Sequence, residues 1–211
     1  MHLIQLPTAF HRSPLWKRTL QGLGLTLLAA VGTNALAISE PAAPLPKLLP
    51  WQGASEQLIQ KQGDWVTPAE AAGFKTTPDY EATRAFALRL AQASADIQVT
   101  DIGSASSGRQ IQLITLSKDG SDPRSNGKPT LLAQAGIHSG EIDGKDASFM
   151  LLRDYIEGDK QLRSLIEQVN LLVIPILNVD GHERAGPFTR MNQRGPENAG
   201  WRTNGKNLNL N

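Results

Sequence analysis

Hydrophobic residues recur at helical spacing in one segment and in strand-like runs in the next, along the central part of the chain. The pattern predicts a first helix that starts at Thr77-Pro78-Asp79, with proline near the first helical position, and ends at about Ala95. Runs of apolar or alternating residues, bounded by polar turns, then predict strands at 97–103, 110–116 and 130–135.

Helical spacing returns from about Asp143 to Glu157, and Asp159 is placed to cap a second short helix through Glu167. Residues 171–177 are almost wholly apolar, which is typical of a strand that helices bury on both faces. A strand, a crossover of this length and a second strand favour a parallel pair. The pattern therefore predicts an α/β fold.

The two ends of the chain do not share these periods. Residues 1–37 combine a basic front, an apolar run at 20–31 and the step Ala35-Leu36-Ala37, which together predict a secretory signal peptide. An uncleaved membrane anchor is the alternative, although the apolar run is short for a membrane span. Either interpretation predicts an exported domain, periplasmic or extracellular. Residues 38–76 are interpreted as a linker or N-terminal arm, and 77–211 as the main folded domain.

Composition excludes several functional classes. The chain has 211 residues, a length typical of one domain, with 40% hydrophobic residues and a net charge of +1. Removing residues 1–37 takes away three basic residues and no acidic one, which leaves 18 basic residues against 20 acidic ones. Such a balance argues against nucleic acid as a partner. Because there is no cysteine, any metal must be held by His, Asp or Glu.

The strongest candidate for chemistry is the run Ala135-Gly136-Ile137-His138-Ser139-Gly140-Glu141, which follows a predicted strand. It presents an imidazole and a carboxylate three residues apart, and both are chemical groups that bind zinc in proteins. Ligands of α/β sheets bind beyond the carboxyl ends of the strands, which is where this pair lies. A loop histidine and a helix-start glutamate without a ligand remain the alternative interpretation.

A second polar turn, Asn178-Val179-Asp180-Gly181, follows the next predicted strand. Residues 178–211 then contain seven Asn and five Gly with no regular period, and include the steps Trp201-Arg202 and Asn207–Asn211. These pieces, in this order, resemble the zinc carboxypeptidase family of the carboxypeptidase A type over about Thr77–Asn211. The resemblance implies a three-layer mixed sheet with helices on both faces, incomplete here at the C-terminus.

The resemblance also implies roles for single residues. His138 and Glu141 would be two zinc ligands, Arg202 would polarise the scissile carbonyl and stabilise the oxyanion, and Asn211 would orient the terminal carboxylate of a peptide substrate. The third ligand, a histidine, and the general base, a glutamate, would lie beyond residue 211. We therefore expect residues 77–211 to be the N-terminal part of the catalytic domain of a metallocarboxypeptidase. In this truncated form it should bind zinc weakly, turn over little, and leave an open sheet edge and unburied apolar faces.

Several alternatives stay open at this stage. His182 could be the third ligand and Glu183 the base, but a loop residue near the rim of the site and a solvated carboxylate fit the pattern better. Arg184, Arg190 and Arg194 are expected to be ordinary solvated residues, with attraction of an anionic substrate end as the second interpretation. Ser139, beside His138, could suggest a serine hydrolase, but the Gly-x-Ser-x-Gly sequence of a nucleophile elbow is absent around it, which argues against that class. At the level of function, a zinc deacylase of the succinylglutamate desuccinylase type and a non-catalytic exported binding module are the rivals.

Overall fold

The computed structural model describes residues 53–193 and 195–211. The predicted signal peptide and the first part of the predicted linker, residues 38–52, lie outside these residues, and so does Arg194. In the described part of the chain, none of the helices is both long and apolar enough to cross a lipid bilayer.

Five α-helices and four strands are present in these residues. A 3-10 turn at Ala54–Leu58 is followed by α1 (Pro68–Ala71), α2 (Tyr80–Ala93), β1 (Ile97–Ser104), β2 (Gln110–Leu116), β3 (Thr130–Gln134), α3 (Asp143–Glu157), α4 (Lys160–Ile166), β4 (Asn170–Ile174) and α5 (Val179–His182). A second 3-10 turn, Lys118–Gly120, lies between β2 and β3.

The strands form one mixed sheet in the order β1-β2-β4-β3. β1 pairs antiparallel with β2, and β2 antiparallel with β4, while β3 and β4 are parallel with Leu132 opposite Leu172. The predicted parallel pair and the α/β class are therefore confirmed. The crossover between β3 and β4 consists of α3 and α4, which is the length of connection that a parallel pair requires.

The main core lies between one face of the sheet and the three longer helices. Phe86 of α2 and Phe149 of α3 meet edge to face with ring centroids 5.2 Å apart. They belong to a buried cluster with Ile166 of α4 and with side chains from one face of the sheet: Ile97, Ile114, Leu116, Leu171 and Val173. Burial of these apolar side chains, from the helices and from the sheet, stabilises the fold.

The opposite face of the sheet is open in the described residues. Thr115, Leu172 and Leu132 are register neighbours that form one row across this face. Leu132 is 53% exposed, and Leu172 and Thr115 are only partly buried. The described chain thus shows the sheet and one of the two predicted helical layers.

Several predicted boundaries need correction. The first helix begins at Tyr80, because Asp79 is its N-cap and accepts a hydrogen bond from the Ala82 N–H at 2.8 Å. The last strand ends at Ile174 rather than Leu177. Asp159 does cap α4, as expected, through a 2.8 Å bond from the Leu162 N–H. The predicted linker contains α1, and the segment after 177 contains α5, and neither helix was predicted.

Candidate metal-binding and catalytic site

The His138–Glu141 turn leaves the sheet at the carboxyl end of β3. Gly136 has a φ of +65°, and a β-carbon there would lie 3.3 Å from the Ile176 Cα, so glycine allows the chain to bend closely past the segment after β4. The Glu141 N–H donates to the His138 carbonyl at 2.8 Å, which closes the turn. Ser139 is buried, and its hydroxyl donates to the Asn178 carbonyl at 2.5 Å.

These contacts bring the two predicted ligands together. His138 Nδ1 lies 3.2 Å from Glu141 Oε2, and the imidazole is buried while the carboxylate is 48% exposed. Two ligands of a tetrahedral zinc ion, each about 2.0–2.1 Å from the metal, are separated by about 3.3 Å. The spacing of this pair therefore fits two corners of a zinc site.

Arg202 approaches the same nitrogen, with its Nη1 atom 3.2 Å from His138 Nδ1. One ring nitrogen cannot both donate a proton to Glu141 Oε2 and accept one from Arg202. The other ring nitrogen, Nε2, is buried and has no hydrogen-bond partner among the described residues. A cation between Nδ1 and Oε2 would satisfy both lone pairs at once, so the chemistry of these donors also fits a metal.

Glu141 lies between two guanidinium groups. Arg190 Nη2 donates to Glu141 Oε1 at 2.7 Å, and Arg202 Nη1 lies 3.9 Å from the same oxygen. The hydrogen bond from Arg190, followed by the contact with His138, holds the pKa of Glu141 below its ordinary value. The carboxylate is thus kept charged, which is the form that binds a cation.

The turn after β4 holds Arg202 in place. The Asn178 side chain accepts from the Gly181 N–H at 3.0 Å and donates to the Arg202 carbonyl at 3.2 Å, and the Trp201 N–H donates to the Gly181 carbonyl at 2.7 Å. A β-carbon on Gly181 would lie 2.5 Å from the Trp201 carbonyl oxygen, so only glycine fits there. The sequence Asn178–Gly181 therefore fixes the backbone that carries the predicted oxyanion arginine.

His182 and Glu183 belong to a separate buried network. His182 Nδ1 contacts Glu183 Oε1 at 2.8 Å, and its Nε2 lies 3.1 Å from Lys145 Nζ, which also donates to the Pro78 carbonyl at 2.6 Å. Both ring nitrogens are thus engaged within the protein. Burial lowers the pKa of His182, and Lys145, wholly buried, has its pKa lowered to about 8 by the same cause.

This network argues against His182 as the third ligand. Over residues 53–193 and 195–211, no three His, Asp or Glu side chains form a group that could hold a metal ion. Glu183 accepts a hydrogen bond from the Tyr80 N–H at 3.0 Å as well as contacting His182. Glu183 therefore binds the first N–H group of α2. Its pKa lies below the ordinary value, chiefly because of the contact with His182.

Asn211 is not brought to this site by any described contact. It is exposed, and its N–H lies 3.5 Å from the side-chain oxygen of Asn209. The described chain includes no hydrogen bond or ion pair between Asn211 and His138, Glu141 or Arg202. The structure thus gathers three of the four predicted site residues.

The loop between α5 and Trp201 covers the site from one side. It is closed by a bridge between Gly186 and Ala199, and Gln193 donates to the Gly140 carbonyl within the His138–Glu141 turn. A cavity of about 610 Å³ opens beside it, lined in part by Phe74, Glu141, Asp143, Met150 and Arg190. Arg190 is expected from the sequence to be a solvated residue, because no local pattern indicates that the loop folds back onto Glu141. Its side chain is instead largely buried and paired with Glu141.

Comparisons with known proteins identify the family of this chain. The sequence model of the family described as zinc carboxypeptidase matches residues 83–211, which is more than half of the chain. Among curated proteins, carboxypeptidase B of Astacus astacus is 27% identical over 105 residues, covering 49% of this chain and 33% of that protein. The protein named inactive metallocarboxypeptidase ecm14, of Schizosaccharomyces pombe, is 29% identical over 120 residues, covering 52% of this chain and 24% of that protein.

Solved structures show the same fold. A putative carboxypeptidase A from Shewanella denitrificans is similar with a TM-score of 0.51 and 23% identity, over 65% of this chain and 32% of that one. The chain spans about a third or less of the length of these relatives. The family match, the mixed sheet and the strand-end site agree, and the chain belongs to the zinc carboxypeptidase family.

Proposed function

We propose that this chain supplies two ligands and the oxyanion arginine of the zinc centre of a metallocarboxypeptidase, an enzyme that hydrolyses the C-terminal peptide bond of its substrate. The observation that carries the proposal is the convergence of His138 Nδ1, Glu141 Oε2 and Arg202 Nη1, with the first two atoms 3.2 Å apart and the third 3.2 Å from the first. The family match supports zinc as the metal and a peptide as the substrate.

Each residue has a definite part in the reaction. When bound, zinc supplies Lewis acidity that activates water and polarises the scissile carbonyl. His138 and Glu141 bind the metal, with the imidazole buried and the carboxylate half exposed. Arg202 is a permanent cation at the site and meets the negative charge that develops on the carbonyl oxygen. Asn211 is proposed to orient the terminal carboxylate of the substrate.

Two groups of the complete site are not assigned to described residues. Zinc in a catalytic site needs a third protein ligand, and the attack of water needs a general base. By the family resemblance, both lie beyond residue 211. The 211-residue polypeptide alone is therefore expected to bind zinc weakly and to hydrolyse little.

The test uses the full-length protein, with zinc content measured by mass spectrometry and hydrolysis followed on a peptide with a free C-terminus and on its C-terminal amide. We expect one zinc per chain, cleavage of the free-acid peptide only, and loss of both zinc and activity in His138→Asn. His182→Gln is the matched control, because it removes a histidine of the buried network and should keep zinc. Zinc retained by His138→Asn, or lost only in His182→Gln, would refute the assignment.

A non-catalytic binding role is the second candidate, because one relative of similar identity is named inactive. The same experiment separates the two functions when peptide binding is also measured and acylated amino acids are added as substrates. A protein that holds peptides with free C-termini but cleaves neither them nor acylated amino acids at any zinc loading would have the second function.

We also propose that the protein is exported, on the basis of the basic and apolar composition of residues 1–37. N-terminal sequencing of the protein recovered from its native host should begin close to residue 38. A mature protein that still begins at Met1 and remains in the membrane fraction would instead indicate an anchor.

A further inference from the structure

Arg190 and Arg202 contact the two proposed ligands in different ways. Arg202 Nη1 reaches His138 Nδ1, the nitrogen that faces Glu141 Oε2. Arg190 Nη2 instead donates to Glu141 Oε1, the oxygen that does not contact His138, at 2.7 Å. One arginine therefore contacts a proposed ligand atom, and the other contacts the free oxygen of a proposed ligand.

This difference gives the two arginines opposite relations to a bound cation. A metal that binds His138 Nδ1 and Glu141 Oε2 competes with Arg202 for the lone pair of Nδ1. The same metal would leave the bond between Arg190 and Oε1 intact, because the oxygen that faces His138 is Oε2. Hydrogen bonds to the free oxygen of a ligating carboxylate fix its orientation and are part of most well-formed metal sites.

The structure holds Arg190 in the position that this role needs. Its side chain is only 14% exposed, and its aliphatic part passes directly over Gly140, where a β-carbon would lie 2.8 Å from the Arg190 Cγ. Gln193 on the same loop donates to the Gly140 carbonyl. The loop is thus attached to the His138–Glu141 turn at two points, and Arg190 reaches Glu141 from a constrained side chain.

We propose that Arg190 is a positioning residue of the metal centre, which holds Glu141 Oε1 so that Oε2 stays beside His138 Nδ1 and binds zinc more tightly. This inference rests on the proposed function, since it assumes that His138 and Glu141 bind the metal. Arg190 does not contact the reacting atoms in this role, and its effect appears first in metal affinity.

The charge of Arg190 acts in the opposite direction from its hydrogen bond. A guanidinium near a divalent cation repels it, but Glu141 is half exposed, so solvent and salt screen this repulsion. Arg184 lies at the start of the same loop, is exposed, and donates to Asn207 rather than to Glu141. Arg184→Met therefore removes one positive charge from the loop but leaves the hydrogen bond between Arg190 and Glu141 in place, and it is the matched control.

The experiment measures zinc affinity of the full-length protein by competition with a chromophoric chelator, at fixed pH and ionic strength. Arg190→Met should weaken zinc binding about 10–100-fold, the usual effect of removing a partner of a metal ligand. Arg190→Lys, which keeps a donor, should recover part of that loss. Arg184→Met should leave the affinity unchanged, and Arg202→Met should leave it unchanged or make it tighter.

A second variant tests the position of the side chain without removing it. Gly140→Ala places a methyl group 2.8 Å from the Arg190 Cγ and 3.0 Å from the Gly200 carbonyl oxygen, and it should weaken zinc binding in the same direction. In the double variant Gly140→Ala/Arg190→Met, the loss of zinc affinity should be smaller than the sum of the two single losses, since the part of the Gly140→Ala effect that acts through Arg190 is already removed. Thermal unfolding of every variant reports whether it is folded. If Arg190→Met does not fold, Arg190→Gln takes its place.

The possible failures are distinguishable. If the wild-type protein binds no zinc, or His138→Asn binds it equally well, the proposed function is wrong. If the wild-type protein binds zinc through His138 but Arg190→Met and Gly140→Ala bind it as tightly or more tightly, the positioning role of Arg190 is refuted and the proposed function stands.

Discussion

Lys145 shows how a charged residue can be placed in the interior beside the site. It is wholly buried in the first turn of α3, where Nζ donates to the Pro78 carbonyl and contacts His182 Nε2. Asp146, at 3.9 Å, is the nearest carboxylate. Because the network joins the starts of α2 and α3 to the end of α5, Lys145 holds together three elements around the His138–Glu141 turn.

Lys145 predicts a pH dependence of stability. Burial lowers its pKa to about 8 in the folded protein, against an ordinary value of 10.5. Between these two values the unfolded chain binds the proton and the folded chain does not, so the free energy of unfolding rises with pH. The rise contributed by Lys145 is on the order of 3 kcal/mol over the whole interval.

Urea unfolding of the wild-type protein and of Lys145→Met between pH 8 and 10.5 measures this effect. The difference in stability between them should grow in favour of the wild type as pH rises. Tyr155, whose pKa is raised by burial and by Asp96, acts with the opposite sign at the upper end, but it is present in both proteins and cancels. A difference that is flat with pH would contradict the prediction.

The residues of the candidate site differ in how far the sequence reveals them. His138 and Glu141 are close in sequence and follow an apolar strand, so a local pattern predicts their proximity, and the structure places them 3.2 Å apart. Arg202 was predicted only through resemblance to a family. Arg190 reaches Glu141 from 49 positions away through an irregular loop, and no periodicity encodes such a contact.

At the scale of elements, a buried ion pair attaches α1 to α3. Arg153 Nη1 lies 2.8 Å from both oxygens of Glu70, and both side chains are fully buried. Glu70 also accepts the N–H groups of Gln60 and Thr67. Burial alone would raise the pKa of Glu70, but these hydrogen bonds hold it below the ordinary value. The pair is therefore charged and fully hydrogen-bonded.

Breaking this pair should be costly. Glu70→Ala leaves Arg153 Nη1 buried without its carboxylate, while Arg153 Nε keeps its ion pair with Asp154 at 2.7 Å. Removing one partner of a buried pair typically destabilises a protein by about 3–5 kcal/mol, and the remaining pair places the expected cost near the lower end. The exposed pair Arg124–Asp122 has the same 2.8 Å separation, so Asp122→Ala is a matched control that should leave stability within error. Urea unfolding measures both. Equal effects of the two substitutions would show that burial of the pair does not matter.

Elements with a long regular pattern were predictable, and short ones were not. α3 and β2 have the predicted bounds, because each shows its period over several repeats. α1 has only four residues, although Thr67 and Glu70 form a capping box around Pro68 that the sequence already contained. β4 stops at Ile174, because Pro175 has no N–H group for the ladder.

For the whole molecule, the open face of the sheet follows from the truncated form that the family resemblance implied, and no local pattern predicts it. The apolar run at 171–177 predicted helices on both faces, whereas the described helices α2, α3 and α4 pack on one. Which face of a strand is covered depends on elements far away in sequence. The chain spans about a third of the length of carboxypeptidase B.

The open face predicts how the 211-residue polypeptide behaves in solution. β3 is an edge strand, and its Leu131 and Leu132 are 64% and 53% exposed. An exposed apolar edge is a template for association with another chain. We therefore expect concentration-dependent self-association, measured by sedimentation velocity, and expect Leu132→Lys to reduce it because a charge on this face opposes burial.

Leu165, 49% exposed on α4, provides the control, since a single apolar residue away from the sheet should not drive association. If Leu165→Lys reduces self-association as much as Leu132→Lys does, the effect comes from net charge, and the open face of the sheet is not the surface through which the chains associate.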